Sequence, residues 1–138
     1  MSRILRAVLM SIGLVGGSGM LAQAAQSQPA GEWILTWGAF AQSPVTGEVG
    51  TTVGKLSEAE AREEALEQCG KKGAPQCKVA LVFHNQCAAV AAGKTGTSFQ
   101  TAGSEERAST LAKKSCEEDG ASCKVMYSEC TKAVFKRD

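Results

Sequence analysis

Apolar and polar positions follow one order twice along the chain. Trp33, Leu35, Trp37, Ala39 and Ala41 alternate with Ile34, Thr36, Gly38 and Phe40, so residues 32–41 predict a strand with apolar groups on both faces and its body at 36–41. Residues 42–56 carry Pro44, Gly47, Gly50 and Gly54 among Thr and Val, the composition of a long loop with a short irregular hairpin inside it. Ser57 followed by Glu60 has the spacing of a capping box, and Ala61, Ala65 and Cys69 then recur every fourth residue as one face of a helix. Gly70 and Gly73 end that helix. From Cys77 a second strand points Val79, Leu81 and Phe83 one way and Lys78, Ala80 and Val82 the other, and His84-Asn85-Gln86 is a hairpin turn.

The order then repeats. Cys87-Ala88-Ala89-Val90-Ala91 lies on Trp37-Gly38-Ala39-Phe40-Ala41 at an offset of 50, and Ser104, Ala108, Ala112 and Cys116 lie on Ser57, Ala61, Ala65 and Cys69 at an offset of 47. The intervening loop, 93–103, is therefore three residues shorter than its counterpart. A fourth strand, 123–129, sets Val125 and Tyr127 on one face and Met126 and Ser128 on the other. Two strand–loop–helix–strand units, at about 36–84 and 87–130, predict an α+β fold: a four-stranded, mostly antiparallel sheet with two helices on one face. The domain extends to 135, where Val134 and Phe135 pack as a tail.

The N-terminus adds an address. Arg3 and Arg6, the apolar run from Ala7 to Val15 and the small-x-small site Ala22-Gln23-Ala24 predict a signal peptide, 1–24, cleaved after Ala24, with 25–35 as a flexible leader. Taking 24 residues from 138 leaves 114, the size of one domain. Loss of two arginines leaves 13 Lys+Arg against 14 Asp+Glu, an interspersed balance that offers no footprint for nucleic acid or an anionic membrane. The expected location is the periplasm or the exterior.

All six cysteines, 69, 77, 87, 116, 123 and 130, fall in the mature part, and an even count in a small exported chain predicts disulfides. No short C-x2-C pair is present, so no metal site is expected. Counting alone permits 15 pairings. Symmetry selects Cys69–Cys77 and Cys116–Cys123 at equivalent helix ends, leaving Cys87 with Cys130, which meet only if their strands are antiparallel. The first unit has Trp37 and His84 at the places of Cys87 and Cys130, so an indole packed on the second strand would replace the bridge.

Trp37-Gly38-Ala39-Phe40-Ala41, the Ser57/Ala61/Ala65/Cys69 helix, Cys77-Lys78-Val79, Asn85-Gln86-Cys87-Ala88-Ala89 and the second Ala108/Ala112/Cys116…Cys123 set together resemble the DUF4189 domain family of exported bacterial proteins, over about 36–130. The resemblance implies export, disulfides and a duplicated α+β unit, and no established activity.

Few residues carry recognisable chemistry. His84 is the sole histidine, and Asn85, Tyr127 or Glu129 could orient it, but a hairpin-turn position fits a solvated ring. Glu58, Glu60, Glu63 and Glu64 crowd the start of one helix, where carboxylates favour the dipole. Glu117, Glu118 and Asp119 lack the alternation of a calcium loop, and G-x-S-x-G is absent. No catalytic residue and no cofactor is assigned. The two long loops, with Lys55, Lys94, Thr97 and Phe99, are the candidate binding surface; neither matches a phosphate-binding loop. Phe99 is either an exposed anchor for a partner or a lid folded on the core. The leading expectation is a non-enzymatic module that binds a protein partner, in one version as an inhibitor or immunity-like partner of a secreted or envelope enzyme. The alternatives are a secreted or envelope hydrolase using His84 or a carboxylate pair, and a structural envelope protein.

Overall fold

A computed structural model describes residues 27–138, so the predicted signal peptide and the first two residues of the leader lie outside the described residues. The remaining leader is not all irregular: Gly31–Ile34 form strand β1, which pairs with β8, Val134–Arg137, and joins the two ends of the domain in a ribbon of its own. Between them run β2 (Trp37–Gln42), β3 (Val49–Lys55), α1 (Glu58–Lys71), β4 (Lys78–His84), β5 (Cys87–Gly93), β6 (Gly96–Ala102), α2 (Glu105–Cys116), a 3-10 turn at Glu117–Asp119, and β7 (Cys123–Cys130).

The helices begin where the caps predict. Ser57 accepts from the Glu60 N–H at 3.2 Å, and the Glu60 carboxylate reaches the N–H of Leu56. Ser104 does the same for Arg107 at 3.2 Å. All three disulfides are those chosen by symmetry: Cys69–Cys77, Cys87–Cys130 and Cys116–Cys123. Cys87 and Cys130 face each other in an antiparallel ladder, as that choice required.

The sheet itself differs from expectation. Instead of one four-stranded sheet there are two antiparallel three-stranded ones, β3-β2-β4 and β6-β5-β7, and the predicted loops hold β3 and β6 as hairpin strands. Each unit is therefore strand–strand–helix–strand. The helices lie on outer faces rather than sharing one. Ala39 and Ala41 pack on Ala61, Ala65 and Cys69 of α1, while Ala89 and Ala91 pack on Ala108 and Ala112 of α2. Phe40 and Phe83 meet Ala88 and Val90 between the sheets. The order of layers is helix, sheet, sheet, helix. The reason is visible in β2 and β5, which are buried on both faces and so demand a layer on each side.

Small residues set the spacing. At Gly50, paired with Ala41, an added Cβ would lie 2.2 Å from the Ala65 carbonyl oxygen, so the α1 backbone rests directly on β3. β4 and β7 share a second local feature, a register shift opposite Phe40/Ala41 and opposite Val90/Ala91. The extra residue is Ala80 in one and Met126 in the other. A bulge reverses the alternation, which is why Val125 packs toward α2 while Tyr127 faces the other sheet, although simple alternation put them on one face.

Candidate functional site

The two sheets stack with β2 over β5, so that each edge of one sheet meets an edge of the other along a seam. In one seam β6 meets β4; in the other β3 meets β7. Strand register makes the seams comparable residue by residue. Phe40 pairs with Thr51 and Leu81, and Val90 with Phe99 and Tyr127. Thr51 is thus the counterpart of Phe99, and Tyr127 of Leu81. Likewise Gln42 pairs with Val49 and Ala92 with Thr97.

The β4–β6 seam is filled. Phe99 lies half-buried with its ring centroid 6.1 Å from that of Phe40, beside Leu81, and Gln42 Nε2 donates to Thr97 Oγ1 at 3.0 Å across the mouth. The β3–β7 seam has Thr51 in place of the phenyl ring and stays open. A cleft of about 330 Å³ lies there, floored by Val49, Val90, Ala92 and Tyr127, with Met126 at its edge, 62% exposed on the bulge. Its rim is polar: Lys72 Nζ donates to the Val49 carbonyl at 2.7 Å and stands 3.7 Å from the Glu48 carboxylate.

Further along the same strands a second cavity of about 440 Å³ is lined by Val53, Gly54, Glu105, Ser128, Glu129, Cys130, Lys132 and Val134. Tyr127 belongs to the first cavity and donates its hydroxyl to Glu129, which belongs to the second. Its ring meets Phe40 edge-on at 5.5 Å. Burial first, then the bond to Glu129, push the phenol up to about 12, while the Thr51 side chain works in the other direction. Tyr127 is therefore a hydrogen-bond donor throughout the ordinary pH range.

The candidate residues read from sequence are dispersed. Lys55, at the end of β3 opposite Trp37, stands 3.7 Å from Glu64. That contact, after a hydrogen bond from Gln68, holds the Glu64 carboxyl below its usual range. Lys94 is exposed in the β5–β6 turn at the other end of the sandwich. Thr97 and Phe99 lie together in β6, in the filled seam, and Phe99 takes the place of a lid on the core. Lys55, Thr97 and Phe99, expected in loops, thus lie in strands, and Lys94 alone of the four lies in a turn.

His84 stacks on Trp37, with centroids 4.1 Å apart and planes 8° from parallel, at the register position where the other unit has Cys87–Cys130. It is on β4, diagonally across the sandwich from Tyr127 and Glu129 on β7. The structure does not bring those residues together. The α1 carboxylates are engaged locally, Glu58 with Arg62 and Glu60 with the cap. In the 3-10 turn after α2, a hydrogen bond from Thr95 and another from the Ala121 N–H hold Asp119 below its usual range. Among the described residues no group of three or more His, Cys, Asp or Glu is placed to hold a metal ion.

Thr51, Met126, Tyr127, Glu129 and Glu105 were not singled out as binding residues by sequence. The signal that would have found the cleft was the pairing of Thr51 with Phe99, hidden because the two intervening segments differ in length by three residues.

A family model described as a domain of unknown function (DUF4189) matches residues 37–130. The structure is similar to the NMR structure of Rv1813c from Mycobacterium tuberculosis, with a TM-score of 0.53 and 23% identity, covering 93% of this chain and 100% of that one. At that identity the likeness concerns the fold alone. No curated protein matches the sequence.

Proposed function

The chain belongs to the DUF4189 domain family, and from that premise we propose that it is a small, non-enzymatic binding module of an extracytoplasmic compartment that receives an extended segment of a protein partner in the β3–β7 seam. The observation that carries this reading is the contrast between the seams. Where one unit supplies Phe99, the other supplies Thr51, leaving a cleft of about 330 Å³ with an apolar floor and a polar rim, within the range of ligand sites. Two cavities follow one another along two strands, and among the described residues no strand pairs with the outer edge of β3, a shape suited to an extended chain. Three disulfides fit an oxidising compartment, and two of them tie β7, one wall of the seam, to β5 and to α2 before binding. Among the described residues no helix is long and apolar enough to cross a membrane. Inhibition of a secreted or envelope enzyme is the concrete form of this role, with an exposed strand of the enzyme as occupant.

The test uses capped Thr-rich heptapeptides carrying one central Leu, Val or Phe. Amide shift changes confined to Val49, Thr51, Met126 and Tyr127, and lost in Met126→Lys, are the expected result. Changes scattered over the surface, or no changes with any of the three, would overturn the reading.

One observation favours a second reading. Glu105 and Glu129 line the same cavity, and two carboxylates across a cleft are the minimal set for glycoside hydrolysis. Turnover of cell-wall glycan that disappears in Glu105→Gln would establish it; no turnover by the wild type would remove it.

A further inference from the structure

The two cavities of the seam differ in chemistry, and their order along the strands defines what an extended occupant must carry. The first is apolar where it is deep, with Val49, Val90, Ala92 and Tyr127, Met126 stands exposed at its edge, and its two rim charges, Glu48 and Lys72, face each other. The second has two carboxylates, Glu105 and Glu129, against one ammonium, Lys132, and so keeps an excess negative charge. Tyr127 joins them, its ring in the first and its hydroxyl on Glu129, which fixes that carboxylate toward the seam. Glu105 comes from the first turn of α2 and Glu129 from β7, so the negative charge is assembled from two elements held by the Cys116–Cys123 and Cys87–Cys130 bridges.

Resting on the binding-module reading above, we infer that the segment bound in the seam carries an apolar side chain for the first cavity and a Lys or Arg two to four residues away for the second. The spacing follows from the walls. The cavity centres are displaced by between two and four residues along β3 and β7, about 7–13 Å at strand rise. In an extended ligand, side chains at i and i+2 or i and i+4 point the same way and cover that range. An apolar segment lacking the cation would fill the first cavity and leave the excess carboxylate charge uncompensated. An acidic one would meet repulsion.

The probes are the capped peptides Thr-Leu-Thr-Lys-Thr and Thr-Leu-Thr-Thr-Thr-Lys-Thr, with counterparts in which Glu replaces Lys or Ser replaces Leu, titrated by amide chemical shift into the oxidised domain. One Leu/Lys peptide binds about tenfold more tightly than its Leu/Glu counterpart, with shifts running from Val49 to Gly54 and from Met126 to Cys130. The preference falls to about twofold in Glu129→Gln and, independently, in the exposed Glu105→Gln, and it shrinks as salt is raised. Equal binding of Leu/Lys and Leu/Glu peptides within the seam would overturn the inference while leaving the binding module standing. Absence of seam shifts with every peptide would overturn both.

Discussion

Two repeats with one topology are completed by different chemistry, and the differences fall at two places. At the strand pair beginning each unit, the second repeat has a covalent bridge, Cys87–Cys130, where the first has an indole stacked on an imidazole, Trp37–His84. At the seam, the second repeat supplies Phe99 and the first supplies Thr51. The bridge and the stack close equivalent gaps, so they are alternative solutions to one packing problem. Phe99 and Thr51 are not equivalent in effect: one fills its seam, and the other leaves a cavity. A substitution that preserves the fold can thus be separated from one that creates a surface.

The largest expected effect comes from cutting the bridge. With its ends separated by 43 positions in sequence, the bridge's Cys87→Ala, Cys130→Ala double variant loses about 4 kcal/mol by loop-closure entropy, measured by denaturant unfolding. Trp37→Ala, measured in the same way, loses about 2–3 kcal/mol, the stack and the packing of a half-buried indole without any constraint on the unfolded chain. Equal losses would mean that the bridge and the stack hold the units by the same means. Next is Phe99→Thr, which makes the second seam resemble the first and destabilises by about 2–3 kcal/mol, less than for a fully buried ring. A smaller loss than that of an ordinary surface change would show that Phe99 does not close the seam.

The smallest effect is confined to alkaline pH. Tyr127 is the sole tyrosine, so phenolate absorbance reports it without ambiguity. Its folded pKa near 12 exceeds the unfolded value of about 10, and folding therefore favours the protonated form. The contribution to stability is complete below about pH 10 and is lost as pH rises toward 12. Glu129→Gln lowers the phenol's midpoint, since it exchanges the charged acceptor, which favours the neutral ring, for an uncharged amide. An unchanged midpoint would place the whole shift on burial.

Much of the frame was legible. Ser57, Ser104 and the alanine–cysteine stripes mark both helices because capping and four-residue spacing are local properties. The bridges were legible through symmetry, and the Trp37–His84 contact through the same alignment. What was missed depends on contacts between distant residues. Gly50 and Gly54 read as loop residues, yet Gly50 is in a strand because α1 lies against it. The Ala80 and Met126 bulges reverse the side-chain alternation, which no period-two pattern reveals. Two-sided burial of β2 was read correctly as apolar on both faces, but its consequence, a second sheet rather than solvent, requires the edges that the loops concealed. The cleft lay beyond reach because Thr51 is informative only beside Phe99.

The most direct measurement restores the symmetry. In Thr51→Phe the open seam receives the ring that closes the other one, and the protein is titrated with the Leu/Lys peptides beside the wild type. Shifts at Val49, Met126 and Glu129 in the wild type, abolished in a Thr51→Phe protein whose melting temperature is unchanged or higher, are the predicted result. Equal shifts in both proteins, or a wild-type footprint on Leu81 and Phe99 instead, would contradict the claim that the open seam is the binding site.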